Sequence, residues 1–192
     1  PDLVARACDL GVAMQMTNIA RDVGEDARAG RVYLPLSWLR EAALDPEAWL
    51  AQPRFSSELG AVIARLLAEA DALYRRADSG IAALPAPYRS AIRAARLLYA
   101  EIGDQLLLKG CDSLAARTVV PARRKLALAV QAYAAPVRQH MALLAAPALA
   151  ETQFLVDAIQ TTPAASPSAI ESNVVWTLEL FSALADRPRR VA

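Results

Sequence analysis

Six side chains able to hold a cation or an anion fall between Gln15 and Asp26: Gln15, Asn18, Arg21, Asp22, Glu25 and Asp26. On a helix turning about 100° per residue, Gln15, Asn18, Asp22, Glu25 and Asp26 share an arc of roughly 100°. Val12, Met16, Ala20 and Val23 take the opposite side, an apolar stripe that can pack into a core. Asn18, Asp22 and Asp26 follow i, i+4, i+8 spacing, so their side chains stack on successive turns, where one hard cation can touch all three. An amide oxygen and carboxylates suit Mg²⁺ or Mn²⁺ better than Zn²⁺, and Mg²⁺ shares its shell with waters and substrate phosphates. Arg21 lies beside this row, and Arg31 follows Gly30 in the next loop. Metal and guanidinium together complement the concentrated charge of a diphosphate.

An acidic helix face is also what an ordinary solvated helix presents. Three features separate this one from that pattern. Uncharged Gln15 and Asn18 stand where lysine partners would, the carboxylates crowd without offsetting cations at i+4, and the face runs into an Arg-bearing, Gly-containing loop.

The stretch NIARDVGEDARAGRVYLP resembles the second aspartate-rich motif of the squalene and phytoene synthases, head-to-head prenyl transferases. Their pattern is approximately Q-x-x-N-x-x-R-D-x-x-E-D followed by G-R-x-Y-L-P. Similarity continues through YRSAIRAARLLYAEIGDQLLLKGCDSLAARTVVPARRKL, Tyr88 to Leu126, and more loosely to the C-terminus, most strongly toward the bacterial phytoene synthases. The resemblance implies an all-α, isoprenoid-synthase-type helical bundle. It implies Asn18, Asp22 and Asp26 as metal ligands with Glu25 sharing the role, and Gln15, Asn18, Arg21, Arg31, Tyr33, Tyr99 and Arg117 as contacts for diphosphate or adjacent substrate. Asp22, Asp26 and Arg21 would carry the catalysis. Tyr99 also reads as an aromatic on a core stripe with its hydroxyl at the edge. Where the family usually has Tyr after the glycine at 110, this chain has Cys111, a departure that bears on cavity shape.

The reaction implied is condensation of two geranylgeranyl diphosphates into phytoene through prephytoene diphosphate, with Mg²⁺ or Mn²⁺. Two alternatives stay open: squalene or dehydrosqualene synthesis from farnesyl diphosphate, since the motif does not set chain length, and a non-catalytic helical relative serving assembly or interaction. The chain opens on Pro1-Asp2 without Met, with helical periodicity already running. Residues 1–192 are therefore expected to be the C-terminal portion of one squalene/phytoene synthase domain, whose N-terminal helices and first aspartate-rich motif lie outside it.

At 192 residues the chain is long enough for one domain with a substantial core. A hydrophobic share of 55% with 7 glycines argues against disorder. The net charge of +1 and the absence of zinc-finger or aromatic-basic signatures point away from nucleic acid. Cys8 and Cys111 lack CxxC spacing and read as reduced cytosolic thiols. One histidine, His140, leaves little material for a His-based metal site or triad, and reads as an exposed or satisfied helix residue. No apolar run reaches about 18 residues, so a transmembrane helix is not expected. The location expected is cytoplasmic, with peripheral contact to the inner membrane favoured by a hydrophobic product.

The elements that must position these residues read as helices throughout. The first ends in the loop Ala27 to Leu34; a short helix covers Trp38 to Ala43; Asp45-Pro46-Glu47 starts another with cap, proline and acidic first turn. From Ser57 a long core helix carries Leu59, Val62, Ile63, Leu66, Leu67, Ala70 and Leu73, with Arg75, Arg76 and Asp78 on a wet surface. Ser79-Gly80 and Pro85-Ala86-Pro87 punctuate the connection to the next helix. Tyr88 to Lys109 is a helix closing at Gly110, with Ile92, Ala95, Tyr99, Ile102 and Leu106 on one side. Pro121 opens a helix to about Ala146, which Pro136 would kink or divide in two, and whose start Arg123-Arg124-Lys125 reads as a solvated basic patch. Glu151 to Gln160 and a capped terminal helix from Ser168 complete the chain.

Overall fold

The computed structural model describes residues 2–134 and 140–161. Its helices are α1 (Asp2–Arg28), α2 (Leu36–Glu41), α3 (Pro46–Ala51), α4 (Ser57–Ala83), α5 (Ala86–Leu108), α6 (Ala122–Ala134), α7 (Met141–Leu144) and α8 (Gln153–Thr161), the last preceded by a 3-10 turn at Ala150–Thr152. Among the described residues there is no strand. None of their helices is long and apolar enough to cross a membrane. The chain divides into two compact units, residues 1–156 and 157–192. Of the second, residues 157–161 are described, a helical turn in which the Thr161 hydroxyl donates to the carbonyls of Asp157 and Ala158.

Local chemistry sets most boundaries. Asp45 accepts from the Ala48 N–H at 2.8 Å with Pro46 at the first helical position, which starts α3. Ser56 does the same for α4 through Leu59 N–H. The start of α5 falls at Ala86, two residues before Tyr88, because Pro87 fits the first turn of a helix as readily as it ends a loop. Gly30 and Gly110, both at positive φ, follow α1 and α5.

The core forms where α1 lies against α4. From α1 come Ala13, Ala20, Val23 and Ala27; α4 supplies Leu59, Val62, Ile63, Leu66, Leu67, Ala70, Leu73 and Tyr74. Trp49 and Leu39 close one end. The stripe that α1 buries is thus rotated slightly from the expected one: Ala13 and Thr17 are buried, whereas Val12 and Met16 are half-buried. Thr17 sits there because its hydroxyl meets that of Tyr74 at 2.9 Å.

Three local expectations are corrected. Ser79 and Gly80 do not interrupt α4, which continues to Ala83; there a Cβ on residue 80 would come within 2.4 Å of the Arg6 Cβ, so glycine permits close packing rather than a turn. Arg76 and Asp78 are not a free wet surface: Arg76 pairs with Asp9 at 2.9 Å and Asp78 with Arg96 at 2.9 Å. Helix α6 ends its described course at Ala134 and α7 starts at Met141, with exposed His140 extended before it; Pro136 and the terminal helix from Ser168 lie outside the described residues. The basic start of α6 is only partly solvated, since Arg124 pairs with buried Glu101 at 2.8 Å.

The least expected feature is a buried charge pair. Arg6 is 1% exposed and Asp9 0%, with Arg6 Nε and Asp9 Oδ2 2.7 Å apart. Arg6 also donates to the carbonyls of Leu143, Leu144, Ala146 and Pro147. Removing one member strands the other away from solvent. Asp9→Ala is expected to lower the unfolding free energy by about 3–5 kcal/mol, read by urea denaturation with unchanged m value. A loss below about 1 kcal/mol would mean the pair is not desolvated in solution.

Candidate active site

The polar face of α1 faces away from α4, so burial of the opposite stripe dictates what it presents. Asp22 lies at its centre. Arg21 donates to it from the adjacent position, Nε to Oδ1 at 2.7 Å and a terminal nitrogen to Oδ2 at 2.6 Å. Arg117, 95 residues further on, donates to the same two oxygens at 2.9 and 3.4 Å, and its Nε lies 3.7 Å from Glu25. One carboxylate is therefore held by two planar guanidiniums. Burial alone would push the Asp22 carboxyl up, but these hydrogen bonds and charges outweigh it and hold it below the usual carboxylate range.

Arg21 and Arg117 open onto a cleft of about 360 Å³ whose other walls are Leu98, Tyr99 and Ile102 of α5, Thr118, Val119 and Val120 of the following segment, and Lys125 of α6. Three cationic groups thus share the lining of a mainly apolar space. Tyr99 is half-buried and borders this cleft. Cys111 does not; it is buried in the core at positive φ, and burial pushes its thiol up.

One turn beyond Asp22 a second group forms. Asp26, Arg31 and Tyr33 border a crevice of about 10 Å³ with Ile19, Val23 and Trp49, too small for more than solvent. Gly30 at φ +71° turns the chain so that the Arg31 N–H donates to the Asp26 carbonyl at 2.8 Å. Burial raises the Asp26 carboxyl, and the charges of Asp22 and Glu25 add to the rise while Arg31 opposes it. Gln15 is exposed, and Asn18 half-buried, on the turns before Asp22.

The donor set can be tested for a hard cation. The Asn18 Oδ1 is buried and has no hydrogen-bond partner in the structure, one turn before Asp22 on the same face. Asn18, Asp22, Glu25 and Asp26 offer oxygen only, the chemistry that Mg²⁺ and Mn²⁺ take. Among the described residues no three His, Cys, Asp or Glu side chains gather as a metal site. Asn18, Asp22, Glu25 and Asp26 would suit such a cation, which would have to share Asp22 with Arg21 and Arg117.

Three participants are not evident from the sequence. Leu98 shares the cleft wall with Ile102. Glu101, buried on a mainly apolar helix, accepts from Arg124 and Gln105 and so ties the start of α6 to α5; the available signal is an acidic residue on α5 matched by the basic run that opens α6. Gly24 is the third, a residue without a side chain on the buried side of α1, beside the site.

A model of the squalene/phytoene synthase family matches residues 1–125. The phytoene synthase of Cereibacter sphaeroides is 47% identical over 162 residues, 82% of this chain and 46% of that protein. That of Rhodobacter capsulatus is 50% identical over 126 residues, 66% of this chain and 37% of that one. The 15-cis-phytoene synthase of Enterobacter agglomerans is 42% identical over 137 residues, 71% of this chain and 46% of that one. The chain spans less than half the length of each of these three relatives.

The clamp on Asp22 has a pH signature. Its lowered value means that the stability it contributes is complete above the ordinary carboxylate value and lost as pH falls through the lowered one. For Asp26 the sign reverses: stability falls as pH rises from the ordinary value through the raised one. Arg117→Ala removes two of the four hydrogen bonds on Asp22. In that variant the Asp22 carboxyl carbon, followed by NMR, is expected to titrate at higher pH; an unchanged titration would show that Arg117 does not hold it in solution.

Proposed function

Because the chain belongs to the squalene/phytoene synthase family, we propose that it supplies one wall of the active site of a prenyltransferase. The enzyme condenses two geranylgeranyl diphosphates head to head into phytoene. The observation that carries this reading is the Asp22 carboxylate shared by Arg21 and Arg117, two arginines that also line a cleft with Leu98, Ile102, Val119 and Val120. A charged end beside an aliphatic space matches a substrate with a diphosphate head and a hydrocarbon tail.

Asn18, Asp22 and Asp26 would hold the divalent cation, Mg²⁺ or Mn²⁺, with Glu25 in support. When bound, it stabilises negative charge on the departing diphosphate as a Lewis acid. Arg21 and Arg117, held beside Asp22 before the charge develops, would turn N–H donors from that carboxylate to the diphosphate oxygens. Lys125 adds a positive charge to the same cleft. Gln15, two turns before Asp22 on α1, and Arg31 and Tyr33, in the loop that follows α1, would meet the head group of a substrate reaching along the helix. Leu98, Ile102, Val119 and Val120 exclude water from the allylic cation that ionisation leaves, and the Tyr99 ring adds an electron-rich face. Condensation, with release of one diphosphate and a proton, first gives prephytoene diphosphate; its own ionisation, rearrangement and loss of a proton yield phytoene.

The experiment is Mg²⁺-dependent binding of a non-hydrolysable geranylgeranyl diphosphate analogue, followed calorimetrically. Asp22→Ala is expected to abolish it while leaving helical circular dichroism unchanged, because the Asp22 side chain packs into no core. Wild-type affinity in that variant would remove Asp22 from the site. In a protein spanning the full length of the relatives, squalene-type products from farnesyl diphosphate in place of phytoene would reassign the substrate.

A further inference from the structure

Gly24 stands two residues after Asp22, on the buried side of α1. A Cβ there would sit 2.6 Å from the Ser113 carbonyl oxygen and 2.8 Å from the Leu114 Cα. Both are backbone atoms, so no side-chain rotation relieves the contact. The chain leaving α5 crosses directly over the α1 backbone at this point, and only a residue without a side chain admits it.

The path from the crossing to the site is short. Arg117 is three residues past Leu114, and three residues reach at most roughly 10–11 Å. The place where Ser113 and Leu114 touch α1 therefore governs where the Arg117 guanidinium can arrive. The approach to the crossing is fixed as well. Cys111 takes φ 61° with its N–H on the Leu106 carbonyl at 2.9 Å, and Asp112 Oδ1 accepts from the N–H groups of Leu114 and Ala115 at 3.0 Å each. Beyond Arg117 the segment is fixed again, by buried Thr118 and Val120 and by the Arg124 to Glu101 pair. Between these two fastenings Arg117 reaches Asp22 with an Nε to Oδ1 distance of 2.9 Å.

We propose that Gly24 is a positioning residue, which sets Arg117 on Asp22 by letting the 113–114 backbone lie against α1. The role in substrate binding rests on the function proposed above. A methyl group at position 24 must move the crossing by roughly 0.8 Å to restore an ordinary 3.4 Å contact. A displacement of about that size takes a bidentate guanidinium out of register and weighs heavily on reacting geometry.

The test is a double-mutant cycle on the full chain, with two readouts. The first is Mg²⁺-dependent affinity for the geranylgeranyl diphosphate analogue in wild type, Gly24→Ala, Arg117→Ala and the double variant. Each single variant is expected to bind about tenfold or more weakly, and the double variant no more weakly than Arg117→Ala alone. The second needs no ligand: the Arg117 Nε–H NMR resonance, protected by its bond to Asp22, is expected to broaden in Gly24→Ala. Asp112→Ala, which loosens the turn without adding an atom, is expected to repeat both results and serves if Gly24→Ala does not fold. Additive losses in the double variant, or a sharp Nε–H with wild-type affinity in Gly24→Ala, would overturn the proposal. If wild type binds no analogue yet the resonance broadens as expected, the positioning role stands and the functional reading falls.

Discussion

The close approach of α1 to α4 is the constraint on which the rest depends. It is made by small residues, Ala13, Ala20 and Ala27, set against the leucines and Ile63 of α4. Because that face is committed to packing, the oxygen-bearing face can only point the other way. A larger residue at 13 or 20 would push the helices apart and rotate Asp22 with them. The polar site is thus a consequence of apolar packing on the reverse of the same helix.

The second requirement is that a distant arginine returns to that face. Arg21 comes free with the helix, since it neighbours Asp22. Arg117 does not, and its arrival depends on the end of α5, on the turn through Cys111 and Asp112, and on the α6 anchor at Glu101. Two guanidiniums around one carboxylate also keep the positive groups organised and partly neutralised. An arriving metal and diphosphate would exchange partners within this set rather than meet bare charges.

Much of this was legible in the chain. The helical class, the long amphipathic run from Ser57 and the start of α3 followed from periodicity and caps, because those signals are local. The row Asn18, Asp22, Asp26 was readable for the same reason: one helix carries it. The misreadings share a cause in tertiary contacts. Ser79-Gly80 looks like a turn by composition, yet packing of Arg6 over Gly80 keeps it helical. Arg76 looks solvated by pattern, yet Asp9, 67 residues away, captures it. Arg6 and Asp9 lie on a face where periodicity expects apolar residues, so no rule of spacing would bury them. The resemblance names Arg117 as a substrate contact, but its pairing with Asp22 is not legible in the chain, since nothing local links residues 95 positions apart.

The buried Arg6 also sets a timetable. Its carbonyl acceptors lie 137 to 141 residues downstream. At a synthesis rate of about 5–20 residues per second, a ribosome needs roughly 7–28 s after making Arg6 before Pro147 exists. During that interval α1 can pack on a newly made α4, but the charged end of α1 must stay hydrated. The start of α1 can therefore dry out only after residues 143–147 have been translated.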